Sequence, residues 1–224
     1  MLEQNLGMIN ERLARAAAKR GISLREITLV AVCKTVPAEQ IRHACNLGIR
    51  HFGENRVQEA LPKIAALPQG LCWHFIGHLQ TNKVKQVLGQ FSLIQSLDRL
   101  KLAYALQQEG EKLKRIVDVL LQVNIGAEES KYGFQVEEVE DALIAVADCP
   151  NIRVQGLMAI APYLPDPEEL RPYFRRLYRI FKTIDIPGVE MKFLSMGMTN
   201  DFEVAVEEGS NMVRVGTALF GERA

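Results

Sequence analysis

Apolar positions along this chain change their period repeatedly. Over residues 3–20, Leu6, Ile9, Leu13 and Ala17 recur at three- and four-residue steps, and the stripe stops at Gly21. That spacing predicts an amphipathic helix closed by a glycine. The run Ile27-Thr-Leu-Val-Ala-Val-Cys-Lys34 is instead continuous and β-branched, the pattern of a strand covered on both faces. A helix is expected to open at Pro37, whose fixed φ suits a first helical turn. Further strand-like runs lie near residues 49–53, 72–77, 92–97, 116–124, 154–159, 191–195 and 212–215, with a helix-like stretch between each pair.

Counting the run that ends at Lys34 gives eight strands. Eight β-α units with near-continuous apolar strands favour a closed parallel (β/α)8 TIM barrel, carrying an extra N-terminal helix, over an open doubly wound sheet. No Gly/Ser/Pro-rich linker or low-complexity stretch divides the chain, so residues 1–224 read as a single domain. Pro162-Tyr-Leu-Pro-Asp-Pro167 is expected to be a turn-rich loop before a helix.

Composition narrows the function classes. At 224 residues and 48% apolar content the chain can bury a large core. Twenty-seven basic side chains balance twenty-seven acidic ones, so no global field favours nucleic acid or an anionic membrane, and any anion site has to be local. The N-terminus is charged throughout and lacks a signal-peptide pattern, and no apolar run reaches membrane-spanning length. The chain therefore reads as soluble and cytoplasmic. Cys33, Cys45, Cys72 and Cys149 fall at irregular spacings, as buried reduced thiols do. Strand alternation would point Cys33 and Lys34 to opposite faces.

In a parallel barrel the working side chains sit where the strands end. Here those are Lys34, Glu54 with Asn55, His78, Asn124, Ser195 and Arg214, all expected to face one mouth. A lysine leaving an apolar wall is partly desolvated, which lowers its pKa and supplies a neutral amine able to attack an aldehyde. After the seventh strand, Phe193-Leu-Ser-Met-Gly-Met-Thr199 brings a hydroxyl and a glycine, and after the eighth, Arg214-Val-Gly-Thr-Ala-Leu-Phe-Gly221 brings another pair. Loops in those two places, with a short helix N-terminus, make the usual barrel phosphate site. Gly216 allows close backbone approach, and Thr217 can donate from its amide and hydroxyl. Neither a Walker A loop nor G-x-G-x-x-G occurs. His74 and His78 fall on a strand and a loop, where a four-residue spacing does not converge on a metal, and no metal site is expected.

Together these segments resemble the PLP-binding homeostasis proteins, the alanine-racemase-like YggS or proline synthase co-transcribed family. The resemblance rests on Leu29-Val-Ala-Val-Cys-Lys-Thr35, His51-Phe-Gly-Glu-Asn-Arg-Val-Gln-Glu59, Trp73-His-Phe-Ile-Gly-His-Leu-Gln-Thr-Asn-Lys83 and Val123-Asn124 with Lys131-Tyr-Gly-Phe134. It continues through Gly156-Leu-Met158, Leu194-Ser-Met-Gly-Met-Thr-Asn-Asp-Phe202 and Val213-Arg-Val-Gly-Thr-Ala-Leu-Phe-Gly221, so it spans almost the whole chain. It implies pyridoxal 5′-phosphate (PLP) held as an internal aldimine on Lys34. It also implies that Ser195, Gly197, Gly216 and Thr217 cradle the phosphate, that Arg214 faces the pyridine nitrogen, and that Asn55, Asn124 and Met158 line the cofactor. The implied role is PLP (vitamin B6) homeostasis and amino- and keto-acid balance, as a monomer that meets PLP-dependent apo-enzymes transiently.

Three readings remain distinct: a PLP carrier, a single-domain amino-acid racemase or decarboxylase, and a cofactor-free interaction barrel. An arginine at the ring nitrogen cannot accept its proton and disfavours the protonated ring, which mutes carbanion chemistry. Only Glu-Arg-Ala follow Gly221, so no appended β-domain is expected to bring a second acid/base. Both features favour the carrier over an enzyme, with no catalytic residues assigned.

Overall fold

The computed structural model describes residues 1–128 and 132–221. Lys131, quoted above with Tyr132, and the terminal Glu222, Arg223 and Ala224 lie outside the described residues. In chain order the elements are α1 (Leu2–Arg20), β1 (Thr28–Val32), α2 (Ala38–Asn46), β2 (His51–Glu54), α3 (Val57–Ala66), β3 (Cys72–Phe75) and α4 (Val84–Val87). There follow β4 (Leu93–Leu97), α5 (Leu100–Leu113), β5 (Val117–Val123), α6 (Val139–Ala147), β6 (Ile152–Ala159), α7 (Arg171–Thr183), β7 (Val189–Ser195), α8 (Phe202–Glu207), β8 (Met212–Val215) and α9 (Thr217–Phe220). The strands close in sequence order, each parallel to the next, and β1 pairs with β8.

The alternating chain produces the expected (β/α)8 barrel with α1 outside the repeat. Gly21 ends α1 in the left-handed conformation expected of a C-terminal glycine. Pro37 differs from expectation. It is the extended N-cap of α2, with ψ 148°, and the first helical residue is Ala38. The chain must first leave the strand direction, and proline's φ is compatible with that extended corner too.

Helix α1 buries Ile9, Leu13, Ala16 and Ala17 against the outer face of the barrel, in a cluster with Phe202 and Val206 of α8 and Leu219 of α9. Arg12–Glu203 and Lys19–Glu207, both 2.7 Å, join α1 to α8. Part-exposed ion pairs contribute about 1 kcal/mol or less each, whereas burying one Leu or Ile side chain contributes about 1.5–3 kcal/mol. The apolar stripe therefore seats α1, and the ion pairs orient it.

Inside the barrel, Val30, Leu93, Leu120, Met158 and Met212 form an apolar cluster with Phe193 and Ile160 packed against it. A chain of polar side chains crosses the same interior. Arg214 Nη1 donates to Ser195 Oγ at 2.6 Å, and Ser195 Oγ donates to Gln95 Oε1 at 2.7 Å. Gln95 Nε2 lies 3.0 Å from His74 Nδ1, and His74 Nε2 lies 3.0 Å from His51 Nδ1.

The direction of every bond follows from the first. A guanidinium can only donate, so Ser195 accepts from it and spends its single proton on Gln95. Gln95 then turns its NH2 toward His74, Nδ1 of His74 must accept, and the His74 proton sits on Nε2, facing His51. Gln95, Ser195, His74 and Arg214 are all buried, and His51 at the start of β2 is half-buried.

Burial, reinforced by the neighbouring His51, pushes the His74 pKa down from 6.5 to about 3, and burial also lowers that of His51. Folded His74 thus stays neutral at pH values where an unfolded imidazole takes up a proton. Its contribution is intact above pH 6.5 and is lost as pH falls below it. At about 1.4 kcal/mol per pH unit the loss reaches roughly 3 kcal/mol by pH 4.5. Buried Asp201, whose pKa is raised, acts with the opposite sign in acid, so the comparison has to be between variants. Denaturant unfolding at pH 7 and pH 4.5 should show a smaller acid loss in His74→Gln than in wild type. Equal losses would mean that His74 titrates normally in the fold.

Candidate functional site

Two residues beyond inward-facing Val32, Lys34 emerges on the wall of a cavity of about 630 Å³ at the carboxyl ends of the strands. The chain turns directly after it. Thr35 has φ 63°, a left-handed conformation that a β-branched residue rarely adopts, and its hydroxyl donates to the Lys34 carbonyl at 2.6 Å. Such a residue costs on the order of 1–3 kcal/mol and persists where its surroundings fix it. Here the Val36 amide closes the turn on the Cys33 carbonyl at 3.0 Å, and Lys63 Nζ reaches over from α3 to donate to the same carbonyl at 2.7 Å.

Cys33 itself faces away from the mouth, as alternation requires. Its thiol lies 3.3 Å from Glu54 Oε1 and 3.4 Å from the Gly53 carbonyl. Burial and the adjacent Glu54 carboxylate push the thiol well above its usual pKa, so it stays a protonated, unreactive group. Glu54 corrects the sequence reading, which sent it to the mouth. It is fully buried in the layer between strands and helices, paired with Lys63 at 2.6 Å. Gly53 takes the inward position of β2, where a Cβ would lie 3.1 Å from Val30, and alternation turns Glu54 outward.

Arg214 is the cation at the floor of the cavity. It is 4% exposed, donates to Ser195 Oγ, and gives Nη2 to the Ala159 carbonyl at 2.8 Å. Burial lowers its pKa to about 10, and Asp201 on the cavity wall pulls it the other way, so it stays charged at neutral pH. Gly216 and Thr217 complete this side. A Cβ on Gly216 would come within 3.3 Å of both Cβ and the carbonyl oxygen of Val32, so an added side chain would press on β1. Thr217 begins α9, where its amide has no intrahelical acceptor. The Ala218 amide meets Thr199 Oγ1 at 3.4 Å.

Of the sequence-derived candidates, Lys34, Arg214, Gly216 and Thr217 converge on this cavity. Ser195 is fully buried, with its hydroxyl committed to Gln95 and Arg214. Gly197 has φ 93° and packs against α8, where a Cβ would lie 2.6 Å from that of Ala205, and its carbonyl accepts from the Arg214 amide. Met158 belongs to the apolar interior, and Asn124 donates to the Glu128 carbonyl at 2.8 Å.

Asn55 and His78 also part from the others. They line a second cavity of about 400 Å³ with Arg56, Gln58 and Lys83, and His78 lies 2.6 Å from Asp98 and stacks on Tyr132. The expectation that all strand-end groups share one mouth therefore fails for Glu54, while Asn55 and His78, after the carboxyl ends of β2 and β3, line the second cavity. Among the described residues no cluster of three or more His, Cys, Asp or Glu is placed to hold a metal.

Sequence reasoning missed Asp201 and the apolar rim of Tyr163, Leu164 and Met198 on this cavity. Tyr163 was legible only as part of a turn, and its 84% exposure shows it at the open edge. It also missed Gln95, which carried no local signal.

Comparison with known proteins agrees with this geometry. The alanine racemase N-terminal domain family matches residues 6–224. The chain is 46% identical to the pyridoxal phosphate homeostasis protein of Aquifex aeolicus, over 98% of this chain and 97% of that protein. PipY of Synechococcus elongatus, solved with PLP bound, superposes with a TM-score of 0.82 at 32% identity, over 99% of this chain and all of that one. Alanine racemase from Corynebacterium glutamicum shares the fold alone, at 18% identity and a TM-score of 0.71, and this chain covers 61% of its length. The chain belongs to the pyridoxal phosphate homeostasis protein family, built on the alanine racemase N-terminal domain fold.

Proposed function

We propose that this protein binds PLP covalently through the Lys34 amine and serves PLP homeostasis as a carrier. The observation that carries the reading is the convergence of Lys34, Arg214, Gly216 and Thr217 on one cavity of about 630 Å³, within the range of small-molecule sites. The residues present fit the group. Lys34 offers an amine from an apolar wall, Gly216 stands where a side chain would crowd Val32, and Thr217 with the start of α9 offers donors to a phosphate. When bound, PLP supplies an aldehyde that condenses with an amine, and a ring that withdraws electrons.

Arg214 would lie against the ring nitrogen and, as a fixed cation, disfavour its protonation. Ser195 supports the cofactor side indirectly, by holding Arg214. Gly197 would support the same side by accepting from the Arg214 amide, and Asn55, Asn124 and Met158 would line the surroundings of the cofactor. The relatives' naming as homeostasis proteins and the muted ring chemistry support a carrier over an enzyme. We read residues 1–224 as one cytoplasmic, monomeric unit that meets PLP-dependent apo-enzymes transiently and binds neither nucleic acid nor membrane. In support, no described helix is long and apolar enough to cross a membrane, and the formal net charge is zero.

Borohydride reduction of the native protein, followed by peptide mass spectrometry, should place one pyridoxyl group on Lys34. A label on Lys83 or Lys131 instead would overturn the assignment. Gly216→Val should weaken PLP retention about tenfold or more, because crowding against Val32 would shift the backbone donors around it, and losing one hydrogen bond to a charged group costs roughly 1.5–3 kcal/mol. Dialysis against buffer with absorbance readout checks this, and unchanged retention would put the phosphate elsewhere.

A further inference from the structure

The interior of this barrel holds more polar chemistry than its fold requires. One cluster of Val30, Leu93, Leu120, Met158 and Met212 shows that apolar side chains can fill it. Yet β2, β3, β4, β7 and β8 each contribute one polar side chain to a single connected chain. A buried polar group left without a partner costs about 1–3 kcal/mol, so such a chain is tolerated only when every member is satisfied. All are, and every bond donates in the same direction, away from Arg214.

We propose that Gln95, backed by His74, is a positioning residue for Arg214: by accepting the Ser195 proton it fixes Ser195 Oγ as the guanidinium's acceptor and holds Arg214 at the cavity floor. The inference rests on the reading that Arg214 faces the cofactor. Two contacts lock Gln95 in the required orientation. Its amide nitrogen donates to Met212 Sδ at 3.2 Å and faces His74 Nδ1 at 3.0 Å, so its oxygen is left to Ser195. A flipped amide would leave the buried Ser195 proton without its acceptor and would require the His74 proton on Nδ1 instead of Nε2. The His74 tautomer thus reports the orientation of Gln95, which carries the direction set by Arg214 across the barrel.

Two variants separate positioning from space filling. Gln95→Met keeps the size and removes the acceptor; Gln95→Glu keeps an acceptor for Ser195 but turns a second acceptor toward His74. PLP retention by the purified holoproteins should fall about tenfold in Gln95→Met and return to within about threefold of wild type in Gln95→Glu. In the apoproteins, nitrogen-15 NMR should show the His74 proton on Nε2 alone in wild type, and a proton on Nδ1 in Gln95→Glu. Wild-type retention in Gln95→Met would reduce Gln95 to a space filler, and loss in Gln95→Glu as deep as in Gln95→Met would remove the acceptor role. A wild-type His74 carrying its proton on Nδ1 would break the chain itself, whether or not the variants fold. If instead wild-type protein takes up no PLP on Lys34, the carrier reading fails, and the NMR result still decides the orientation of the chain.

Discussion

A guanidinium held charged inside a closed barrel sets the terms for everything at the cavity floor. Removing a charge from water is costly unless it is hydrogen-bonded, and Arg214 is 4% exposed. A lysine in that position would answer burial by losing its proton, whereas the arginine, even lowered to about 10, stays a cation. Its bonds are supplied by the Ala159 carbonyl at the end of β6 and by Ser195 at the end of β7. Because Ser195 has one proton, its acceptor must come from across the barrel, and Gln95 of β4 provides it. The demand of one cation thus reaches as far as His51 at the start of β2.

The other half of the site depends on backbone placement. Lys34 sits between an extended strand and the left-handed Thr35, and the turn is tied down from behind by Lys63 on the Cys33 carbonyl. Lys63 can reach that carbonyl because fully buried Glu54 partners it at 2.6 Å. Breaking a buried pair by removing one partner typically costs about 3–5 kcal/mol, so this ion pair belongs to the framework that presents Lys34. The same burial keeps Cys33 protonated, leaving the amine beside it without a competing nucleophile.

The fold was legible because its signal is local. Each apolar run marks a strand within a few residues, and Gly21 marks a helix end. Lys34 and the glycine-threonine pair after the eighth strand, which line one cavity, were legible for the same reason, since strand ends in a barrel face one side. Glu54 was misplaced because an inward Gly53 has no side chain to betray which face of β2 is which. That Asn55 and His78 line an adjoining cavity was not legible, because it depends on the loops after β2 and β3. Gln95 could not be found at all. It is 100 residues from Ser195 and 21 from His74, and only barrel closure brings the three together.

The central claim is that a racemase-like barrel holds its cofactor without turning over amino acids. Racemisation needs a base on one face of the α-carbon and an acid on the other, each within hydrogen-bond reach. Lys34 can serve one face, and the tyrosine lining the cavity, Tyr163, is largely in water at its edge. The most direct measurement is incubation of the PLP-loaded protein with L-amino acids in deuterated water, following the absorption spectrum, α-proton exchange and chirality together. The account predicts a spectral shift as the amino acid engages the cofactor, with no sustained exchange or racemisation. Turnover at about 1–1000 per second, the ordinary range of enzymes, would contradict it.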